Sequence, residues 1–314
     1  MTKLDEKAII EVFQKKLGIK FSNEDVEQIK VSGNCIIKVD TLVESTDIPP
    51  KSPLLFAAKK SIVGPVSDFA AKGVLPQYGI ISVNIPRRFT KKQVQDVATG
   101  IAVGAKEYGL KILGGDTNEG QELVLNVCIS GTSERISKRI GAKVGDSIFV
   151  TGPFGYSSSG LEILLKKKKA SQNFAKISKM AVLEPQAKLW FGSKCARYFS
   201  SSMDSSDGLS TTLHELARQS KFKFAIKKPP VNPDVLEFAK KNNLDWKNLV
   251  FHGGEEYEIV FTARQKDLAR IKKIARSTQT QLIEIGTVEK GKGVTLQENE
   301  HTEKILDKGW SHLG

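Results

Sequence analysis

Five aspartates, Asp40, Asp68, Asp116, Asp204 and Asp207, share a setting: each stands where an apolar stretch gives way to a Ser-, Thr- or Gly-rich segment, in IIKVDT, GPVSDF, LGGDTN and SSMDSSDGL. Magnesium takes hard oxygen ligands and keeps several waters. It is usually held by one or two carboxylates plus substrate phosphates, so a site of several ions draws aspartates from many segments. Each aspartate also has a plainer use. Asp207, ahead of Gly208 and a helix expected from Leu209, serves equally as a helix cap, a role worth about 0.5–2 kcal/mol. As a set the balance differs, because carboxylates gathered within about 4 Å repel by several kcal/mol at an effective dielectric near 20 unless a cation lies between them. The pattern therefore points to magnesium and phosphate chemistry, provided its members converge.

Two glycine-rich segments extend that reading. Gly114 and Gly115 precede Asp116 after LKIL and suit a tight turn with close backbone approach to a phosphate. Gly152 to Gly160, GPFGYSSSG, runs into a helix whose N-terminus suits an anion, and equally suits an ordinary strand-to-helix turn. Neither matches GxxxxGK[ST], and there is no GxGxxG with a downstream acidic residue, so the usual P-loop and dinucleotide signatures are absent. Gly253, Gly254, Glu255 and Glu256 place an acidic pair before the apolar run YEIVF, either a salt-bridged strand end or part of a site. His214, His252, His301 and His312 are too dispersed for a metal centre or a triad, and no GxSxG elbow occurs.

The elements that must position these residues alternate. Helices are expected near Asp5–Leu17, Leu54–Lys72 and Lys91–Tyr108, and extended segments at Asn34–Val39, Gly79–Ile85, Lys111–Leu113 and Glu122–Ile129. After the turn-rich GAKVGDSIFVTGPFG, with a short strand at Ser147–Val150, helices are expected near Ser159–Lys167, Gln186–Tyr198 and Leu209–Gln219. Beyond a Pro-rich break at Lys228–Pro233, helices are expected near Val235–Lys241 and Gln265–Ala275, and strands at Glu258–Phe261 and Gln281–Ile285. This is an α/β (α+β) pattern of two domains, residues 1–145 and 146–314.

Composition bounds the rest. A chain of 314 residues fits two domains. No apolar run approaches the roughly 18 residues of a membrane span, and the N-terminus lacks a signal-peptide core, so a soluble, cytoplasmic protein is expected. Cys35, Cys128 and Cys195 lie far apart without CxxC pairing and read as buried, inert thiols in a reducing compartment. A net charge of +13 favours anionic partners of many kinds. The run Lys166 to Lys169 reads as a solvated helix end, and the basic stretches lack the interleaved aromatics of a nucleic-acid surface.

In order, VDTLVES, VSDFAAKG, LGGDT, KVGDSIFVTGPFG, MDSSDGL, GGEEYEIVF and KGWSHL resemble the thiamine-monophosphate kinase family, part of the aminoimidazole ribonucleotide synthetase-like superfamily. The resemblance implies a two-domain fold in which N-terminal strands join those of a second subunit in a homodimer, with ATP at the dimer-related cleft. It also implies transfer of phosphate from ATP to thiamine monophosphate, giving ADP and thiamine diphosphate. By position, Asp25, Asp40, Asp68, Asp116, Asp204 and Asp207, with Glu24 beside the first, would serve magnesium. Gly115, Asp116, Arg139 and Ser206 would meet the nucleotide, with Asp116 and Asp207 central to catalysis. Asp47, Glu255 and Trp310 would meet the thiamine moiety. Three positions depart from the family pattern. Asn23, Glu24 and Asp25 stand for GDD, Lys38 and Val39 for Ser-Thr, and Asp47 for a histidine. These departures keep two other outcomes open, a superfamily member with another small substrate and a relative that only binds nucleotide.

Overall fold

The computed structural model describes residues 6–19, 28–298 and 301–311. The chain divides into two compact units, Met1–Phe69 with Val74–Glu134, and Arg135–Gly314 with Ala70–Gly73.

The first unit contains α1 (Glu6–Leu17), β1 (Cys35–Val43), α2 (Glu44–Asp47), α3 (Leu54–Lys72, whose last turn belongs to the second unit), β2 (Tyr78–Pro86), α4 (Lys91–Glu107), β3 (Lys111–Gly120) and β4 (Val124–Thr132). Its sheet has the order β1-β4-β2-β3, with β2 and β3 parallel and the other pairs antiparallel. Successive strand residues face opposite sides. Leu42, Leu125 and Val83 share a register row and are buried, whereas Val39 and Ile80, both opposite Cys128, are exposed. One face is thus covered and one open. Helix α3 lies over the covered face, since a Cβ on Gly64 would come within 3.2 Å of Asp40 Oδ2. Helix α4 crosses α3 closely at Gly100, where a Cβ would meet the Leu55 carbonyl oxygen at 2.1 Å. The start of α4 is fixed by a capping box between Thr90 and Gln93.

The second unit contains β5 (Ser147–Val150), α5 (Tyr156–Lys166), α6 (Gln172–Leu183), α7 (Leu189–Cys195), β6 (Ser201–Ser205), α8 (Leu209–Ser220), β7 (Lys223–Ile226), α9 (Pro233–Lys241), β8 (Glu258–Ala263), α10 (Leu268–Ser277), β9 (Ile283–Glu289), β10 (Gly293–Glu298) and β11 (His301–Lys304). Its sheet runs β11-β10-β7-β9-β5-β8-β6, parallel only between β10 and β7. A π-helical turn, Asn248–His252, leads into the Gly253–Glu256 loop. Around Phe261, Phe149 and Phe199 stack with ring centroids 5.4 and 4.0 Å away, and Leu209, Leu213 and Leu216 of α8 are fully buried in the unit's core.

The chain is mixed α/β in two units, and α3 spans the expected residues. Several expectations give way. Asp40 and Asp116 lie inside strands, not at their ends, because β1 continues to Val43 and β3 stays paired with β2 to Gly120. Gly114 and Gly115 therefore form no tight turn. Instead Gly115 allows close strand approach: a Cβ on it would lie 1.7 Å from the Ile81 carbonyl oxygen. Helix α7 begins at Leu189, after Pro185, not at Gln186. Helix α6 and strands β6, β7, β10 and β11 were not anticipated.

Candidate functional site

In the first unit, Lys38 and Asp40 stand two residues apart on β1 and share its covered face. Asp68 follows Gly64 by one turn of α3, so both face β1. The Lys38 ammonium sits 2.9 Å from Asp40 Oδ1 and 2.6 Å from Asp68 Oδ2, joining the two carboxylates. Without it, two anions about 5 Å apart would repel by about 3 kcal/mol at an effective dielectric near 20, less where water screens them. Burial works against the lysine's charge, but hydrogen bonds and attraction from Asp68 and Asp40 outweigh it and raise its pKa. Gly64 leaves room for the Asp40 carboxylate.

Asp116 belongs to a different face. It lies opposite Ser82, which pairs with Asn126, itself opposite Thr41. The Thr41 hydroxyl donates to Asn126 Oδ1 at 2.7 Å, and Asn118 Nδ2 donates to Asp116 Oδ2 at 3.2 Å, giving a polar row on the open face. The first unit thus brings Asp40 and Asp68 together and leaves Asp116 on the other side of the sheet. Asp47 is engaged locally, its Oδ2 accepting from Val43 N at 2.7 Å. Glu24 and Asp25 lie outside the described residues.

In the second unit the DSSDGL turn is a hub. Asp204 is buried on β6, and Ser206 and Asp207 follow in the half-buried turn ahead of α8. The Ser206 carbonyl accepts from Glu255 N at 2.6 Å, and the Asp207 carbonyl accepts from Trp310 N at 2.8 Å. Consecutive carbonyls of one turn therefore hold the two residues expected at the substrate. Close approach needs glycine on both sides. A Cβ on Gly254 would lie 2.5 Å from the Ser206 carbonyl oxygen, and one on Gly309 would lie 2.4 Å from that of Asp207. Glu255 and Tyr257 adopt φ of +69° and +52°, sparsely populated for such side chains and held here by their bonds to the turn. The Trp310 ring is exposed. Gly208, not Asp207, occupies the cap position of α8, and no side chain caps that helix end. The plainer use of Asp207 is thereby overturned. Arg139 lies 3.6 Å from Glu215, whose pKa is lowered chiefly by a hydrogen bond from Gln219 and further by Arg218 and Arg139.

The start of α5 is filled from within the chain. Glu256 Oε1 accepts from Gly155 N at 2.7 Å and Ser157 N at 3.3 Å, so this helix N-terminus is already filled by a carboxyl group. The Gly152–Gly160 segment is accordingly not an open phosphate cradle. Burial pushes the Glu256 pKa up to about 7, against the pull of its hydrogen bonds to Ser157 and Gly155 and with a push from Glu258. Glu258, also raised by burial, accepts from the Thr151 hydroxyl at 2.5 Å and pairs with Lys188 at 3.2 Å. The ion pair expected beside the GGEE turn belongs to Glu258, two residues further on.

Among the described residues no three His, Cys, Asp or Glu side chains are gathered to hold a metal ion. Magnesium asks for less, one or two carboxylates beside phosphate oxygens. Asp116 is exposed, and no side-chain partner among the described residues meets the half-buried Asp207 carboxylate, so both suit that donor set. The space between Asp40 and Asp68 does not, because an ammonium fills it. Sequence reasoning marked Lys38 as a departure and missed its role. The same-face spacing in KVD, with Gly64 and Asp68 one helical turn apart, was the available signal.

Comparison with known proteins bears on the family and the fold. Residues 22–133 match the AIR synthase related protein N-terminal domain, and residues 143–299 match the corresponding C-terminal domain. The thiamine-monophosphate kinase of Nitrosopumilus maritimus is 55% identical over 313 residues, covering 100% of both chains. That of Pyrococcus horikoshii is 34% identical, covering 100% of this chain and 97% of its own. The solved structure of AaThiL complexed with AMPPCP and TMP superposes with a TM-score of 0.79 at 28% identity, covering 99% of this chain and 98% of that one. With motifs, fold and full-length similarity in agreement, the chain belongs to the thiamine-monophosphate kinase family of AIR synthase related proteins.

Proposed function

We propose that this protein transfers the γ-phosphoryl group of ATP to thiamine monophosphate, releasing ADP and thiamine diphosphate. Full-length identity of 55% to a thiamine-monophosphate kinase carries the reading. The turn that holds Glu255 and Trp310 on adjacent carbonyls supports it. A carboxylate and an aromatic ring are what a cationic, aromatic substrate requires.

The residue roles follow the family resemblance. Glu255 balances the positive charge of the thiamine moiety, and Trp310 offers its ring face. Asp47, tied to the Val43 amide, is a further substrate contact. Arg139, Gly115 and Ser206 meet the nucleotide. Asp116 in the first unit, and Asp204 and Asp207 in the second, would hold magnesium, with Glu24 and Asp25 as further acidic groups. Magnesium supplies charge neutralisation on the phosphates, the main demand of phosphoryl transfer. The acceptor oxygen of thiamine monophosphate is already ionised at neutral pH, so no general base or covalent intermediate is needed. The chain's part is to align the two phosphates in line and exclude water.

The reaction runs in a homodimer in the cytoplasm. The open face of the first unit exposes Ile37, Val39 and Ile80 beside the Asp116 row, which supports a second copy covering that face next to the nucleotide. Three free cysteines agree with a reducing compartment, although Cys35 is exposed on the open face of β1 and only Cys195 is fully buried as expected, and no described helix is long and apolar enough to cross a membrane.

The test is ADP release by purified protein with ATP and Mg2+. Release that depends on added thiamine monophosphate supports the assignment. ATP binding without such release would contradict it.

A further inference from the structure

We propose that the Lys38 ammonium is a built-in cation, holding the place between Asp40 and Asp68 so that this carboxylate pair takes up no divalent ion. The inference rests on the reading of the chain as a magnesium-using kinase and refines which carboxylates serve the metal. Three observations carry it. Lys38 touches one oxygen of each carboxylate, at 2.9 and 2.6 Å, so the pair is bridged from its centre. The bridge is set by backbone periodicity, with Lys38 and Asp40 on one face of β1 and Asp68 on the turn of α3 above it. The remaining room is tight, since even a methyl group on Gly64 would press on Asp40 Oδ2 at 3.2 Å.

A magnesium ion at that place would need metal–oxygen distances of about 2.0–2.1 Å, most of its waters, and displacement of a side chain tethered two residues from one ligand. The tethered ammonium is always present at high local concentration. The charge between Asp40 and Asp68 is therefore balanced whatever the free magnesium level, and the pair orients β1 against α3 rather than binding the nucleotide's metal. Divalent ions fall to Asp116, Asp204 and Asp207.

The experiment counts Mn2+, used in place of Mg2+, on the full-length protein by the electron paramagnetic resonance signal of the free ion. Lys38→Ser is expected to bind one more Mn2+ per chain than the wild type, and Lys38→Arg the wild-type number. Asp68→Asn in the otherwise wild-type chain is expected to leave the count unchanged. Equal counts for wild type and Lys38→Ser, or loss of one ion in Asp68→Asn, would overturn the proposal. If Lys38→Ser is unfolded in metal-free buffer, recovery of the native circular dichroism spectrum on adding Mn2+ supports it. Failure to recover decides against it. The count is independent of turnover, so a chain inactive on thiamine monophosphate that still gains an ion in Lys38→Ser separates failure of the functional reading from failure of this one.

Discussion

At the scale of single residues, the aspartates divide by partner. Asp40 and Asp68 are spent on Lys38, whereas the Asp207 carboxylate has no side-chain partner among the described residues and caps no helix. A half-buried carboxylate without a structural partner contributes little to stability and is free to meet a ligand. Asp207→Asn should therefore lower kcat by about 100-fold or more, the scale of losing one preorganised electrostatic group, and leave the melting temperature within a few degrees. Steady-state kinetics and thermal denaturation of the same preparation check this. A large fall in melting temperature would return Asp207 to a structural role. Sequence alone exposed Asp207 through its motif. It could not separate the aspartates by partner, because the Lys38–Asp68 contact joins residues thirty positions apart through the packing of a helix on a strand.

At the scale of elements, the start of α5 is the clearest departure from the sequence reading. GPFGYSSSG has the composition of an anion-binding turn, but the group it holds is the Glu256 carboxyl from a segment about a hundred residues later. No local pattern reports that. The strand positions of Asp40 and Asp116 were missed for a related reason. Polar residues such as DTNEG are poor strand formers, and only pairing with β2 keeps β3 extended through them. Helix α3 was legible because its apolar run is long and stands alone.

Glu256 also sets a pH dependence. With its folded-state pKa raised to about 7, above the ordinary carboxylate value, the folded chain holds a proton that the unfolded chain has released. Its favourable contribution is complete below the unfolded pKa and is lost as pH rises through about 7. Glu256→Gln keeps an acceptor for the Gly155 and Ser157 amides and removes the titration. It should match the wild type near pH 5 and exceed it near pH 8 by on the order of 1–3 kcal/mol. Urea denaturation at the two pH values measures the difference. A variant weaker than the wild type at both would show that the ionised carboxylate is needed at the helix start.

At the scale of the whole molecule, the open face of the first unit carries large exposed apolar side chains beside its polar row, with Ile37 and Val39 exposed by 66% and 57%. Covering it with a second copy buries these side chains beside the Asp116 row. Ile37→Glu should shift the protein from dimer to monomer in size-exclusion chromatography with light scattering, and lower ATP turnover in parallel. A wild type that is monomeric at micromolar concentration would refute the pairing.

The central claim is direct transfer of phosphate between two bound substrates. It is tested most directly by following the label of [γ-32P]ATP during a single turnover with thiamine monophosphate and Mg2+. The account predicts that the label appears in the terminal phosphate of thiamine diphosphate as fast as ADP forms, with no labelled protein on the way. Label recovered only as inorganic phosphate, or held covalently on the protein, would contradict it.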